Sequence, residues 1–475
     1  MNEMIQEYDF ICLGGGPAGQ KAAIQAAKSG CSVALVEREK MPGGACVLRG
    51  TIPSKTLHET ASTLLRIQRG TTNLINRDQV LALPISSMLA HVDEVVQAHQ
   101  KYMLSQILRN DIDLIHGRAR LVDAHSIRVD VPGGRPINLR GKFIVIGTGS
   151  RPRDPDDMDV DHEGILDSDS ILSLEYLPKS LAVLGGGVIA SEYASIFASL
   201  GVEVFQIDRY PTPLGFMAPE LVEGFVSAFE SMGGHWLGNS KVESVEWDGI
   251  STVVTKLADG REIKTEKLLF ALGRVANLDG MNIEAAGLEL TARGLLAVND
   301  ALQTDIPHIY GVGDVIGPPS LAASAMEQGR RAVRHALGLE NHDFATTIPI
   351  GIYSLPELAS FGLNEKAAIA KFGSCLVGTA RFSELARGQI SGNTDGLIRL
   401  ICDEAGDKLL GVEAVGEGAT ELIHMGQVAL ISNWSIDAFV ENIFNFPTMA
   451  EAYRVAALDV IEKRNPVNQL APALT

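Results

Sequence analysis

A strand, a glycine-rich turn, a helix and a second strand follow one another twice in this chain. The first copy runs from the apolar stretch YDFICLG at residues 8–14, through an alanine-rich helical pattern, to SVALVE at residues 32–37. The second copy, LAVLGGG, VIASEYASIFASLG and VEVFQID, occupies residues 181–208, roughly one domain length further on. Solenoid repeats are adjacent and shorter. The spacing therefore predicts two nucleotide-binding domains and two dinucleotides.

The first turn has the spacing GxGxxG, with Gly14, Gly16 and Gly19 at the three glycine positions. The first glycine permits a tight turn, the second lets the backbone approach a pyrophosphate, and the third allows close helix packing. The start of the following helix faces the phosphates. Glu37 ends the next strand, where a carboxylate can bind an adenosine ribose. A single match of this kind also occurs in ordinary strand-to-helix turns, so the surrounding motifs must indicate whether this turn binds a nucleotide.

The second turn has Gly185 and Gly187, with Ala190 as a tolerated variation at the third position. Its second strand ends in Asp208, where a carboxylate can bind both ribose hydroxyls of NAD. Arg209 follows and could instead meet the 2′-phosphate of NADP. The alternative is that Arg209 is a solvated loop residue. The pair predicts that both NAD(H) and NADP(H) are used.

Composition restricts the possible partners and location. The chain has 475 residues, more than one hydrophobic core usually organises, so several domains are expected. A formal charge of −18 and a pI near 5.1 argue against nucleic acid or an anionic membrane. The five cysteines form no CxxC pair, which fits a reducing compartment and offers no zinc spacing. Without a signal peptide pattern or a long apolar run, a cytoplasmic protein is expected.

A third glycine turn ends in an aspartate, IYGVGD at residues 309–314. Together with the first turn, the GTG of residues 147–149 and the PSK of residues 53–55, it resembles the FAD site of the pyridine nucleotide-disulfide oxidoreductase family. The resemblance extends over essentially the whole chain. It implies bound FAD, with Asp314 on the ribityl chain and Gly149 as part of the flavin site.

The same resemblance implies an ion pair between Lys55 and Glu192 beside flavin N5 and the nicotinamide. There the lysine would favour the electron-rich reduced flavin, and the glutamate would compensate the buried charge. The alternative is two surface side chains without mutual contact. The resemblance also implies that the C-terminal domain pairs two subunits, which places residues 444–451 near the opposite subunit's flavin.

The predicted fold is α/β, with two Rossmann-like dinucleotide-binding domains, for FAD and for NAD(P), and a C-terminal α+β dimerisation domain. We expect the following division: a first part of the FAD domain at 1–150, the NAD(P) domain at 151–279, a second part of the FAD domain at 280–345, and the dimerisation domain at 346–475. A homodimer or higher homo-oligomer is expected.

Two residues depart from the dithiol members of the family. Cys46 matches the earlier redox thiol, but Thr51 occupies the later, flavin-facing position. Phe446 stands where those members carry the acid–base histidine. A lone thiol cannot cycle through an intramolecular disulfide, and phenylalanine cannot shuttle a proton. Disulfide reduction is therefore disfavoured, and the predicted reaction is ping-pong hydride transfer between NADPH and NAD through the flavin.

Two alternative functions remain open at this point. The first is a thiol-independent NAD(P)H:quinone or dye reductase, which would use the same flavin with a different oxidant. The second is a flavoprotein whose nucleotide occupancy controls assembly with a partner. Cys46 itself is interpreted as a small residue packed near the flavin rather than a catalytic thiol.

Overall fold

The structure is a computed structural model, and it describes residues 5–70, 85–155, 158–341 and 347–464. It divides into two compact units. The first comprises Met1–Thr56, Leu89–Asp154 and Gly273–Phe344, and the second comprises Leu57–Met88, Pro155–Leu272 and Ala345–Thr475.

The α-helices are numbered in chain order. They are α1 (Pro17–Lys28), α2 (Gly44–Leu48), α3 (Thr51–Gly70), α4 (Ile85–Leu108), α5 (Val188–Ser199), α6 (Pro219–Ser231), α7 (Ala322–Ala336), α8 (Glu365–Phe372), α9 (Ala386–Ser391), α10 (Ala419–Ile431), α11 (Ile436–Glu441) and α12 (Glu451–Arg464). Short 3-10 helices span Ser170–Ser173, Ile283–Ala286, Gly313–Ile316 and Phe382–Glu384.

The strands are numbered in the same way. They are β1 (Ile5–Leu13), β2 (Val33–Glu37), β3 (Asp113–His116), β4 (Arg118–Leu121), β5 (Ser126–Asp130), β6 (Ile137–Ile146), β7 (Ser150–Pro152), β8 (Ile165–Asp167), β9 (Ser180–Leu184), β10 (Glu203–Ile207), β11 (Gly234–Leu237), β12 (Val242–Trp247), β13 (Val253–Leu257), β14 (Glu262–Thr265), β15 (Lys267–Phe270), β16 (Arg274–Ala276), β17 (Ile309–Gly311), β18 (Ile350–Ile352), β19 (Leu358–Gly362), β20 (Leu376–Arg381), β21 (Leu397–Cys402) and β22 (Leu409–Val415).

The first unit contains a seven-stranded sheet in the order β3-β2-β1-β6-β5-β4, and β17 also pairs with β6. The strands β3, β2, β1, β6 and β17 run parallel, so their carboxyl ends meet at one edge. Ligands of open parallel sheets bind at this edge. The first glycine turn, Glu37 and the turn that carries Asp314 all follow or end these strands.

The second unit contains a parallel five-stranded sheet, β11-β10-β9-β15-β8, and the separate antiparallel sheet β12-β13-β14. The same topological argument brings the second glycine turn, after β9, next to Asp208, after β10. The C-terminal residues form an antiparallel sheet, β18-β19-β22-β21-β20, covered by α10, α11 and α12. The predicted fold class is confirmed, while the four-part domain division stays a prediction.

Hydrophobic burial follows this architecture. The strands β1 and β2 end in continuous buried runs, as expected for strands of a parallel sheet covered on both faces. In the core that packs against the C-terminal sheet, Phe382, Phe439 and Tyr453 are among the largest fully buried side chains. Within the described ranges, no helix has the length and apolar character needed to cross a membrane.

Candidate active site

The first glycine turn has the backbone geometry that its motif predicts. Gly14 has a φ of +98°, and a β-carbon there would lie 2.5 Å from the carbonyl oxygen of Gly147. A β-carbon at Gly19 would overlap the carbonyl oxygen of Gly14, so α1 can approach the turn only through glycine. Gly16 differs, because the nearest atom to its β-position is the Cα of Gly44 at 3.7 Å. This open side leaves room for a ligand against the backbone.

Glu37 is held against this turn at the end of β2. One carboxylate oxygen accepts a hydrogen bond from the amide of Gly15 at 2.6 Å, and the other accepts one from the amide of Glu39 at 2.8 Å. The side chain is buried, and burial raises the pKa of Glu37 while both amide donors oppose that rise. The carboxylate is thus fixed where the predicted adenosine ribose would lie.

The second turn repeats this construction in the second unit. Gly185 has a φ of +125°, and a β-carbon there would lie 2.7 Å from the carbonyl oxygen of Ala271. Apart from its chain neighbours, no heavy atom of the described residues lies within 4 Å of the β-position of Gly187. Ala190 is fully buried on α5 and takes the place of the third glycine. The amide of Gly186 donates to Asp208 at 2.5 Å, as the amide of Gly15 does to the carboxylate in the first turn.

Asp208 and Arg209 lie side by side at the end of β10. The second oxygen of Asp208 accepts a hydrogen bond from the amide of Tyr210 at 2.9 Å. Arg209 is exposed, and its guanidinium lies 5.0 Å from the centre of the Tyr210 ring. The guanidinium also donates a hydrogen bond to the Tyr210 hydroxyl at 3.2 Å. A carboxylate and a guanidinium are therefore both available next to the second glycine turn.

Gln206 supports the second turn from beneath and was not identified from the sequence. It is fully buried in β10, and its amide nitrogen donates to the carbonyl of Gly185 at 3.0 Å and to the hydroxyl of Ser191 at 3.1 Å. A glutamine within an apolar strand, two residues before Asp208, is the sequence signal that could have identified it.

Asp314 lies in the 3-10 turn after β17. It accepts a hydrogen bond from the hydroxyl of Ser150 at 2.6 Å, and that hydroxyl in turn accepts one from Nε of Arg274 at 2.9 Å. Sequence reasoning did not identify Ser150 or Arg274, since the two are 124 positions apart. Gly149, next to Ser150, has a φ of +72°, and in the part of the chain that the structure describes only its chain neighbours come within 4 Å of its β-position.

Two buried hydroxyls test whether these residues fit FAD. Thr148 Oγ1 and Ser324 Oγ are buried, and neither has a hydrogen-bond partner among the described residues. Thr148 belongs to the GTG turn, and Ser324 to the first turn of α7, in the same unit. Buried polar groups are nearly always satisfied, so a polar ligand is expected there. The open glycine faces and these hydroxyls fit FAD, which the first turn, Glu37 and Asp314 would hold.

Cys46 and Thr51 lie near each other in the first unit, and Cys46 is half-buried. Burial raises the pKa of Cys46, although the Thr51 hydrogen bond and the charge of Lys55 oppose the rise. The thiol is therefore protonated at neutral pH, which makes it a poor nucleophile. The Nζ atom of Lys55 lies 3.4 Å from the hydroxyl oxygen of its neighbour Ser54.

Glu192 is buried on α5, two residues after Ala190. Its Oε1 accepts a hydrogen bond from the amide of Tyr353 at 2.9 Å. Lys55 belongs to the first compact unit and Glu192 to the second, so the ion pair between them stays a prediction. The roles of all these side chains in catalysis or cofactor binding also stay predictions.

Phe446 is 75% exposed, and the neighbouring Ile443 is 97% exposed. Large apolar side chains this exposed are typical of an interaction surface. After Phe446 the amide of Thr448 donates to Glu451, the first residue of α12, at 3.2 Å.

The chain matches two family models and many curated relatives. The model described as pyridine nucleotide-disulphide oxidoreductase matches residues 8–329, and that family's dimerisation domain matches residues 348–457. The protein named soluble pyridine nucleotide transhydrogenase in Mycobacterium bovis is 42% identical, over 98% of this chain and 99% of its own. The protein of the same name in Escherichia coli is 38% identical, over 96% and 98%.

Solved structures show the same fold. LpdA from Mycobacterium tuberculosis superimposes with a TM-score of 0.88 at 25% identity, over 96% of this chain and 99% of its own. The copper(II) complex of the HOCl-induced flavoprotein disulfide reductase RclA from Escherichia coli gives a TM-score of 0.87 at 25% identity, with the same coverage. These matches confirm the family resemblance, and the chain belongs to the pyridine nucleotide-disulphide oxidoreductase family.

Proposed function

We propose that this chain is an FAD-dependent oxidoreductase that transfers hydride between NADPH and NAD. The observation that carries the proposal is the threonine at position 51, near Cys46, because disulfide reductases need a second thiol at that position. Relatives named soluble pyridine nucleotide transhydrogenase, 38–42% identical over nearly the whole chain, support the same activity.

The residues proposed to take part in hydride transfer belong to two nucleotide sites, one for FAD and one for the nicotinamide coenzymes. Bound FAD would supply the chemistry of hydride transfer between a reduced and an oxidised nicotinamide nucleotide. The first turn, Glu37 and Asp314 would hold and orient that group, and Lys55 supplies a positive charge at the start of α3. Glu192 supplies a carboxylate on the helix that follows the second turn. A protonated Cys46 and an exposed Phe446 offer no thiolate and no proton shuttle.

We propose that the second glycine turn binds the two coenzymes one after the other, as a ping-pong reaction requires. The Asp208 carboxylate is suited to the ribose diol of NAD, and the Arg209 guanidinium to the 2′-phosphate of NADP. Both carboxylate oxygens of Asp208 already accept backbone amides, which holds the group in place. Arg209 lies outward on the ring of Tyr210, so it can reach a phosphate without burying its charge.

We also propose a cytoplasmic homodimer, in which the exposed Phe446 and Ile443 are covered by a second subunit. The match to a dimerisation-domain model supports this assembly. Burial of two large apolar side chains is the expected driving force for such a contact.

The proposal is tested by anaerobic reduction with NADPH, followed by a chase with thio-NAD, while the flavin spectrum is recorded. We expect NADPH to bleach the flavin and thio-NAD to restore it with formation of thio-NADH. A parallel chase with a quinone at the same concentration tests the alternative reductase. Reoxidation that is faster with quinone than with thio-NAD would contradict the proposal, and reduction by NADPH only over minutes would favour a nucleotide-responsive binding protein.

A further inference from the structure

Glu192 does not hold its position alone, because a short segment of the C-terminal sequence is bonded to it. This segment, Tyr353–Glu357, donates the amide of Tyr353 to Glu192 at 2.9 Å and the amide of Leu355 to Ser195 at 2.9 Å. Glu192 and Ser195 are one helical turn apart on α5, so both bonds are made to the same face. The location of the segment therefore determines the direction from which an amide reaches the Glu192 carboxylate.

His58 is hydrogen-bonded to the same segment, Tyr353–Glu357. Its Nε2 lies 3.2 Å from the carbonyl oxygen of Ser354, and because a carbonyl only accepts, Nε2 must carry the hydrogen. The imidazole is buried and meets the Tyr353 ring edge-on, with centroids 5.9 Å apart. His58 lies on α3, three positions after Lys55, so the helix that carries the predicted flavin-site lysine also carries this anchor.

His58 lies among carboxylates, and the nearest of them, Glu357, already accepts hydrogen bonds from other residues. Glu357 lies 4.0 Å from Nε2, and its other carboxylate oxygen accepts the amide and the hydroxyl of Thr420 at 3.0 and 2.6 Å. Burial lowers the pKa of His58, although the carboxylates of Glu357, Glu192 and Glu59 favour its charged form. The ring is therefore a neutral hydrogen-bond donor at neutral pH.

We infer that His58 is a positioning residue for Glu192, acting through its hydrogen bond to Ser354 and the amide of Tyr353. The inference rests on the proposed role of Glu192 in hydride transfer. A buried histidine could merely fill space, but its Nε2–H is directed to the peptide whose own N–H bonds to Ser195, two peptides after the one that binds the carboxylate. Loss of that bond frees the segment to move relative to α5, and small displacements of a positioned group slow the reaction strongly.

The test compares His58→Gln, which keeps an N–H donor of similar reach, with His58→Leu, which has none. We expect His58→Leu to slow anaerobic flavin reduction by NADPH at least roughly tenfold, with little change in the dissociation constant of NADP⁺ or in flavin content. His58→Gln should recover most of the rate. The exposed His91, near Glu94 on α4, provides a matched control in His91→Leu, for which no change is expected.

The pH profile provides a second measurement. Protonation of His58 would add a positive charge among Glu357, Glu192, Glu59 and the ring of Tyr353, and would draw the Glu192 carboxylate toward it. We expect the wild-type rate of flavin reduction to fall as the pH drops below 6.5, and the profile of His58→Gln to lack that step.

Several outcomes would overturn the inference. One is a wild-type rate of reduction in His58→Leu. Another is loss of rate, coenzyme binding and flavin together in both variants, which indicates a merely structural role. If His58→Leu does not fold, His58→Asn replaces it, because its shorter amide cannot reach Ser354. Flavin reduction by NADPH is measured without NAD, so failure of the chase with NAD would contradict the proposed function and not this inference.

Discussion

Replacement of Glu413 by glutamine tests the electrostatics of the second unit. Glu413 and Arg399 face each other across β21 and β22, and the guanidinium lies 2.9 Å from the carboxylate. The same guanidinium contacts Glu220 at 3.1 Å and also Glu365. The side chains of Glu413 and Arg399 are only 3% and 6% exposed. Three carboxylates therefore share one buried arginine, and of the three only Glu413 is itself buried.

Burial raises the pKa of Glu413 from 4.5 to about 7, despite the opposing charge of Arg399. Because this folded-state pKa lies above the ordinary value, the folded protein binds the proton more tightly than the unfolded chain does. The stabilisation is complete below pH 4.5 and is lost as the pH rises to about 7. A difference of this size corresponds to about 3 kcal/mol in the free energy of unfolding.

The assay is urea unfolding of the flavin-loaded protein at several pH values from 4.5 to 8. Relative to Glu413→Gln, wild type should lose about 3 kcal/mol over that interval, because only wild type must ionise a buried carboxyl group. Glu223→Gln, an exposed glutamate on α6, is the matched control and should follow wild type. If wild type and Glu413→Gln change in parallel with pH, the reasoning is refuted.

Three further predictions concern the nucleotide sites and the thiol. Arg209→Leu should lower kcat/KM for NADPH at least roughly tenfold and spare NAD, whereas Asp208→Asn should do the reverse; equal losses with both coenzymes would contradict the assignment. Gly19→Ala should yield protein with little FAD, measured as the ratio of flavin to protein, because its β-carbon overlaps the carbonyl of Gly14. Cys46→Ser should keep NADPH-to-NAD transfer within about tenfold of wild type; a loss beyond about a hundredfold, about 2.7 kcal/mol of barrier, would restore a catalytic role for the thiol.

Much of the nucleotide-binding architecture could be predicted, because its signals are local. The glycine spacing of each turn is a direct consequence of φ values and close approaches within a few residues, as at Gly14 and Gly185. The carboxylates Glu37 and Asp208 follow their turns by a fixed strand–helix–strand length, so their positions could be counted.

The supporting residues could not be predicted, because their partners are distant in the sequence. Ser150 and Asp314 are 164 positions apart, and His58 and Ser354 are 296 apart. No periodicity or motif spacing links such pairs, and each side chain alone has an ordinary alternative role. Gln206 is an intermediate case, since its polarity within an apolar strand was visible but its two partners were not.

The sequence by itself determined that this chain has two dinucleotide turns and no redox dithiol, because glycine conformation and thiol chemistry are properties of single residues and short segments. Only the tertiary structure decided that burial raises the pKa of Cys46, that Asp208 is held by two amides, and that the segment anchored by His58 reaches Glu192. The physical reason is that hydrogen bonding and burial depend on which distant backbone groups the packed sheets and helices bring together.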